Sequence, residues 1–202
     1  VAVEIARIKE RLQETTGLKL RKAAVAAAGR ALRTSRGQAA LARPHMQEIS
    51  WQEVQALELE AVQQAQMKIA QEEKAAVGYF CVGYSVVNQL LEQQPLQSLV
   101  GQVGHQVELE VIATFLPRVV VDSLMSALKK AGMEVASLTL EPIAALAAAI
   151  PPSMRLLNLA LIDIGAGTSD IAIVDKDKVI AYAMVPIGGD EITEHLAEHY
   201  LL

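Results

Sequence analysis

The sequence predicts an α/β fold, and three observations carry that expectation. Apolar runs at Leu159 to Ile162, Ile171 to Val174 and Val179 to Val185 are separated by turn chemistry and read as three consecutive antiparallel strands. Stretches with apolar residues at helical spacing, such as Val3, Ile5, Ile8 and Leu12, alternate with further strand-like runs. The Ile150-Pro151-Pro152-Ser153 stretch marks one sharp boundary, because consecutive prolines end a helix and cannot join a sheet centre.

Taken in chain order, a leading amphipathic helix runs to Thr15-Thr16-Gly17. The segment from Ile49 to Val54 opens a long helix expected to reach Glu73, with Trp51 packing its start as a core or boundary residue. Tyr79 to Val87 and Val107 to Phe115 read as strands around a Gln93 to Gly104 loop. A helix follows from Pro117 to Ala131, with Gly132 as its C-cap, then a strand from Met133 to Leu140. The helices at 51–73 and 117–131 each show a narrow apolar stripe, which predicts that both lie on one side of a sheet. Leu140 to Ala149 reads as a helix with Pro142 in its first turn and a small-residue face. Past the three strands, Gly188-Gly189 leads into a helix with Asp190 as N-cap and Ile192, Leu196, Ala197 and Tyr200 as its apolar positions.

The most informative stretch is Asp163-Ile164-Gly165-Ala166-Gly167-Thr168-Ser169-Asp170, which packs acids, glycines and hydroxyls into the turn between two strands. It is neither a Walker loop, which needs a lysine, nor a dinucleotide fingerprint, which opens a helix. Glycines at 165 and 167 can take positive φ and let a phosphate approach several backbone amides, while Thr168 and Ser169 add hydroxyl donors. Asp163 and Asp170 would repel phosphate unless a divalent cation lay between them, held through water as magnesium prefers. The plain alternative is an ordinary hairpin, since turns favour Gly, Asp, Ser and Thr for backbone reasons.

A Glu141-Pro142-x-Ala144-Ala145 helix, an apolar strand, this hairpin and a Gly188-Gly189-Asp190 helix follow one another in an order that resembles the actin, sugar-kinase and heat-shock-chaperone ATPase superfamily. The strand, helix, strand, strand, helix, strand order in front of Glu141 resembles the inserted subdomain of the bacterial cell-division FtsA family and its pilus relative, the PilM family. The resemblance implies an actin-like, ribonuclease H-like fragment with an inserted SHS2 subdomain. Its division would be a leading helix of a first lobe at 1–17, the insert at 18–138, a linker helix and boundary at 139–155, and the start of a second lobe at 156–202. ATP and magnesium would be the cofactors. Gly165, Ala166, Gly167, Thr168, Ser169, Gly188 and Gly189 would hold phosphates, and Asp163 and Asp170 the ion or its water shell. One departure is Ala166, where many relatives carry a third glycine, and alanine is tolerable there only at negative φ.

The implied role is nucleotide-dependent polymerisation and tethering of a division ring at the membrane. Partners would be further copies, the tubulin-like division protein FtsZ, or a membrane-protein peptide in a PilM-like adaptor. Membrane contact would come only through regions outside this chain, and catalysis would be at most a slow ATPase of the full-length protein. A chaperone-like or sugar-kinase-like ATPase would need a peptide domain or sugar-site acid that the motifs do not supply. The start at Val1 and the stop within a helix at Leu202 give the expectation of a fragment, with a first phosphate hairpin upstream.

Composition agrees with a soluble, intracellular protein, and the resemblance implies a cytoplasmic one at the inner face of the cell membrane. With 202 residues, 52% hydrophobic and only 3% aromatic, aliphatic side chains must build the core. A net charge of −5 without a basic stripe argues against nucleic acid; Arg21 to Arg36 is locally basic and reads as a solvated strand edge and loop. Cys81 is single and sits in an apolar run, so disulfide and cysteine-metal frameworks are excluded. His195 and His199 stand i, i+4 but lack the glutamate of a metalloprotease motif, so they read as a solvated face.

One measurable expectation follows. With a single phosphate loop, the chain loses about half of the phosphate donors of a two-loop site, at about 1.5–3 kcal/mol for each charge-assisted bond. Calorimetry on the 202 residues should find magnesium-ATP binding in the millimolar range or none; micromolar binding would show the site to be elsewhere.

Overall fold

The computed structural model describes residues 1–27, 32–72, 78–154, 156–176 and 178–200. Arg30 of the basic stretch, Glu73 at the end of the expected long helix, Asp177 of the turn between the last two strands, and Leu202 lie outside the described residues.

Helix α1 (Ala2–Thr16) leads into β1 (Lys22–Ala27), and β2 (Arg33–Glu48) follows as a 16-residue strand. The strand β2 is far longer than its composition signals, since Arg, Ser, Gly, Gln and Pro are poor strand formers. Tertiary pairing overrides propensity: β2 runs antiparallel to β5 (Val103–Pro117) from Arg33↔Phe115 to Ala42↔Gln106, then resumes after a bulge near Pro44. The strands β3 (Tyr79–Leu91) and β4 (Gln94–Pro95) complete a sheet in the order β2-β5-β3-β4.

Helix α2 (Trp51–Glu72) covers one face of that sheet. Its start is a capping box: the Ser50 amide and hydroxyl donate to Glu53 Oε2 at 2.8 and 2.7 Å, and the Glu53 amide donates back to Ser50 Oγ. These bonds to Ser50 hold the Glu53 carboxyl below its ordinary value. The hydrophobic staple is Ile49 against Val54, both buried, whereas Trp51 is 57% exposed; the expectation for Trp51 is therefore corrected. At the first helical position the indole points away from the side on which the stripe Val54, Leu57, Ala61, Val62, Ala65 and Ile69 meets the sheet.

Close approach of α2 to β2 depends on small residues. A Cβ at Gly37 would lie 1.8 Å from the Ala61 carbonyl oxygen, so only glycine fits beneath the helix backbone. From the same helix Gln64 Oε1 accepts the Gln38 amide at 2.7 Å and Lys68 Nζ donates to the Arg36 carbonyl at 2.9 Å. Those two bonds cap main-chain groups that an edge strand would otherwise offer to another chain. Arg43, 3% exposed at its side chain, reaches Glu53 Oε1 at 3.0 Å and donates to the Gln47 carbonyl, tying the bulge to the helix start.

Helix α3 (Arg118–Lys130) corrects the expectation of two helices on one side. It packs with β6 (Glu134–Leu140) and β1 around a second core of Ala27, Val82, Leu116, Val121 and Leu140, on the face opposite α2. Within β5, Phe115 belongs to the first core and Leu116 to the second, the alternation a strand imposes. The strand β1 pairs in parallel with β6, from Lys22↔Glu134 to Ala27↔Leu140, so it leaves the four-stranded sheet altogether. The C-cap of α3 is Ala131, and Gly132 follows it at φ 68. Helix α4 (Glu141–Ala149), a short 3-10 turn at Pro152–Met154, the strands β7 (Leu159–Ile164), β8 (Ser169–Asp175) and β9 (Lys178–Val185), and helix α5 (Gly189–Tyr200) complete the described chain. The three last strands form an antiparallel sheet in sequence order, as the apolar runs predict.

Gly37→Ala should destabilise the protein by about 1–3 kcal/mol through overpacking, and Ser50→Ala by about 1 kcal/mol through loss of the cap. Urea unfolding monitored by circular dichroism measures both; a neutral Gly37→Ala would show that α2 does not touch β2.

Candidate functional site

Asp163 and Asp170 stand directly opposite each other across β7 and β8, and Ile164 pairs with Ser169, so residues 165–168 form the turn. Like charges facing across a ladder repel. Asp170 is accordingly raised above its ordinary value, first by desolvation and then by Asp163. Glu141, at the first position of α4, is raised as well, by desolvation and then by the charges of Asp163 and Asp170. Three carboxylates thus share one electrostatic neighbourhood. The third was not a candidate from the sequence, because Glu141 lies outside the hairpin motif; its signal was its place at the start of the Glu-Pro helix that precedes the apolar strand. Among the described residues no three acidic, histidine or cysteine side chains come close enough to cage a metal ion directly.

The turn is held from within and from behind. The Gly165 amide donates to the Thr168 carbonyl at 2.8 Å. The Gly189 and Asp190 amides, at the start of α5, donate to the Gly165 and Ala166 carbonyls, each at 2.8 Å. The Ser169 hydroxyl donates to the Ile187 carbonyl at 2.7 Å, so that proton is committed to joining the hairpin to the approach of α5. Gly188 is buried, and a Cβ there would meet the Ala166 and Gly165 carbonyl oxygens at 2.5 and 2.6 Å. Glycine is thus required at 188 for contact with the hairpin itself. Gly165 and Ala166 do not adopt positive φ, so the expected left-handed geometry at Gly165 is corrected, and the condition for alanine at 166 is met.

This docking turns the carbonyls of Gly165 and Ala166 toward the helix. Among the described residues the amides of Ala166, Gly167 and Thr168 meet no acceptor, and Gly165 and Ala166 are exposed. The result is three successive amides without an internal acceptor beside the paired aspartates, on residues that are exposed or half-buried. Asp190 belongs to the first turn of α5, which already includes Gly189, and is not the N-cap the sequence predicts. His195 and His199 are exposed on that helix, with His195 Nδ1 4.0 Å from Glu198 Oε2. Cys81 is half-buried, its thiol raised by desolvation.

Three comparisons bear on this geometry. The family model described as MreB/Mbl protein matches residues 102–201, just under half of the chain. Cell division protein FtsA of Bacillus subtilis is 32% identical over 93 residues, which is 45% of this chain and 21% of that protein. FtsA of Pseudomonas aeruginosa is 29% identical over 114 residues, 56% of this chain and 26% of that protein. A chain of the PilM-PilN type IV pilus biogenesis complex superposes with a TM-score of 0.66 at 16% identity, over 98% of this chain and 52% of its own, and shows a shared fold. The chain therefore spans about half of that structure, and its matched stretches span a fifth to a quarter of the FtsA proteins.

Neutralising Asp163 should stabilise the protein near neutral pH. The folded state holds protons on Asp170 and Glu141 more tightly than the unfolded chain does, so these groups support the fold below their ordinary values of 3.8 and 4.5 and lose that support as pH rises through the raised ones. Desolvation, the larger cause of both rises, stays in place, and Asp163→Asn removes the part that comes from the Asp163 charge. Thermal unfolding should show a gain at pH 7 that shrinks toward pH 4; a loss of stability at pH 7 would mean that Asp163 is a structural acceptor instead.

Proposed function

We propose, from its likeness to the actin-like superfamily, that this chain is the phosphate-loop part of an ATP-binding cell-division protein of FtsA type. The observation that carries the reading is the pairing of amides without an internal acceptor at Ala166, Gly167 and Thr168 with opposed carboxylates at Asp163 and Asp170. Magnesium-ATP fits that donor set: a cation would offset both the desolvation and the lesser mutual repulsion that raise Asp170 and Glu141. Asp163 and Asp170 would hold the ion through its water shell, which suits carboxylates that do not form a direct cage. The amides of residues 166–168 would hold the β- and γ-phosphates, with the Thr168 hydroxyl beside them. Gly165, Gly188, Gly189 and Ser169 would serve by holding the turn in place against α5. Bound magnesium would supply charge neutralisation at the phosphates, and the protein's own part in any slow hydrolysis would be positioning.

The division that goes with this reading is a leading helix at 1–17, an insert within 18–138, a linker and boundary at 139–155, and a second lobe beginning at 156. The β1–β6 pairing supports drawing the insert more narrowly, around the four-stranded sheet and α2. In the whole protein the partners would be further copies and the division protein FtsZ, at the inner face of the cell membrane. No helix among the described residues is long and apolar enough to cross a membrane.

A second reading, a PilM-like pilus adaptor that takes a peptide of a membrane protein, is favoured by one observation: the superposition covers 98% of the chain. Nucleotide-dependent sedimentation of the full-length protein with FtsZ separates the two, since only the FtsA-type reading expects co-sedimentation.

In the full-length protein, Asp163→Asn should weaken magnesium-ATP binding at least about tenfold, as loss of one charge-assisted contact of about 1.5–3 kcal/mol implies. Calorimetry with and without magnesium is the check. Unchanged affinity would leave the hairpin only a hairpin.

A further inference from the structure

A broad groove lies away from the hairpin, between α1, the segment before β1, and the end of α3 with β6. It is an open groove of about 980 Å³. Its floor is apolar: Leu20, Met125, Met133, Val135 and Leu138 are all half-buried there. Its rim is cationic, with Lys19, Arg21 and Lys129 exposed and Lys9 at one end, against the single acid Glu134. In a chain of net charge −5 this sign reversal is local.

The rim charges are available. Among the described residues the side chains of Lys19, Arg21 and Lys129 hold no ion pair or hydrogen bond. Lys9 plays a different part: its ammonium donates to the Ala131 and Gly132 carbonyls at 3.2 and 2.9 Å, covering the negative end of α3. Without it, that helix end would repel an incoming carboxylate. The loop that carries Lys19 and Arg21 is fixed, because the Leu20 amide donates to Gln13 Oε1 at 3.0 Å and the Arg21 carbonyl accepts the Glu134 amide at 2.8 Å. Methionines on the floor can repack around differently shaped apolar groups.

We propose that this groove is a docking site for a short acidic segment of a partner protein, with apolar side chains on the Met125–Met133–Val135 floor and carboxylates on Lys19, Arg21 and Lys129. An anionic membrane is the poorer fit, because the apolar floor residues are half-buried and offer no protruding apolar side chain to insert into lipid. The inference is independent of the nucleotide reading: it uses no residue of the hairpin.

The test uses a labelled peptide of repeated Glu-Glu-Leu, a charge-reversed Lys-Lys-Leu peptide, and phosphatidylserine-containing vesicles, each titrated against the 202-residue chain and the triple variant Lys19→Glu, Arg21→Glu, Lys129→Glu. The acidic peptide should bind by fluorescence anisotropy, lose affinity as salt rises, and lose roughly tenfold or more in the variant. A second variant, Met133→Glu, should weaken binding with the rim intact, and thermal unfolding must show both variants folded. If either variant is unfolded, the competing readout is methylation of Lys19 and Lys129 in the native chain, which the acidic peptide should slow. Equal binding of both peptides, binding by vesicles alone, or unprotected lysines would overturn the proposal.

Discussion

The double burial of one strand organises this molecule. From Val103 to Val111 the strand β5 alternates, with Val107, Leu109 and Val111 turned to α2 and Glu108 and Glu110 turned outward. From Val111 to Pro117 every residue is buried, because a second layer of β1, α3 and β6 closes over the other face. That stretch belongs to both cores at once, and the whole arrangement hangs on it. Tyr182 of β9 packs into the second core, so the sheet that carries the hairpin is attached to the same strand end. Thr114 and Tyr182 leave side-chain oxygens buried there without a hydrogen-bond partner, a cost that close packing of this junction must offset.

The hairpin is shaped by a parallel economy of close contacts. The start of α5 donates its free amides to the turn's carbonyls, which satisfies the helix end and removes those carbonyls from the solvent side. The opposed aspartates are left in a repulsive arrangement that the fold tolerates. Strain of this kind, retained at an exposed turn, is what a site for a cation and an anion together would be expected to carry. The basic groove beside α3 shows the reverse: cations with no internal partner over an apolar floor.

Much of this was legible in the chain. The three strands of 159–185 were readable because turn residues interrupt continuous apolar runs, and the helix at Trp51 because Ser50 and Glu53 form a capping box whose spacing is local. The long strand β2 was not, since its residues carry little strand propensity and it exists only through pairing with β5. Glu141 escaped notice as part of the site because its relation to Asp163 and Asp170 is one of space.

What the sequence determined by itself is therefore whatever depends on neighbours along the chain: strand and helix periods, caps, the hairpin turn and its paired acids. Tertiary structure alone decided which face each helix covers, that β1 leaves its neighbours to pair with β6, and that Gly188 is glycine for the sake of two carbonyls on another element. It could not be otherwise, because a Cβ clash at 2.5 Å and a shared burial of two faces are properties of segments brought together from far apart, and no local pattern records the distance between them.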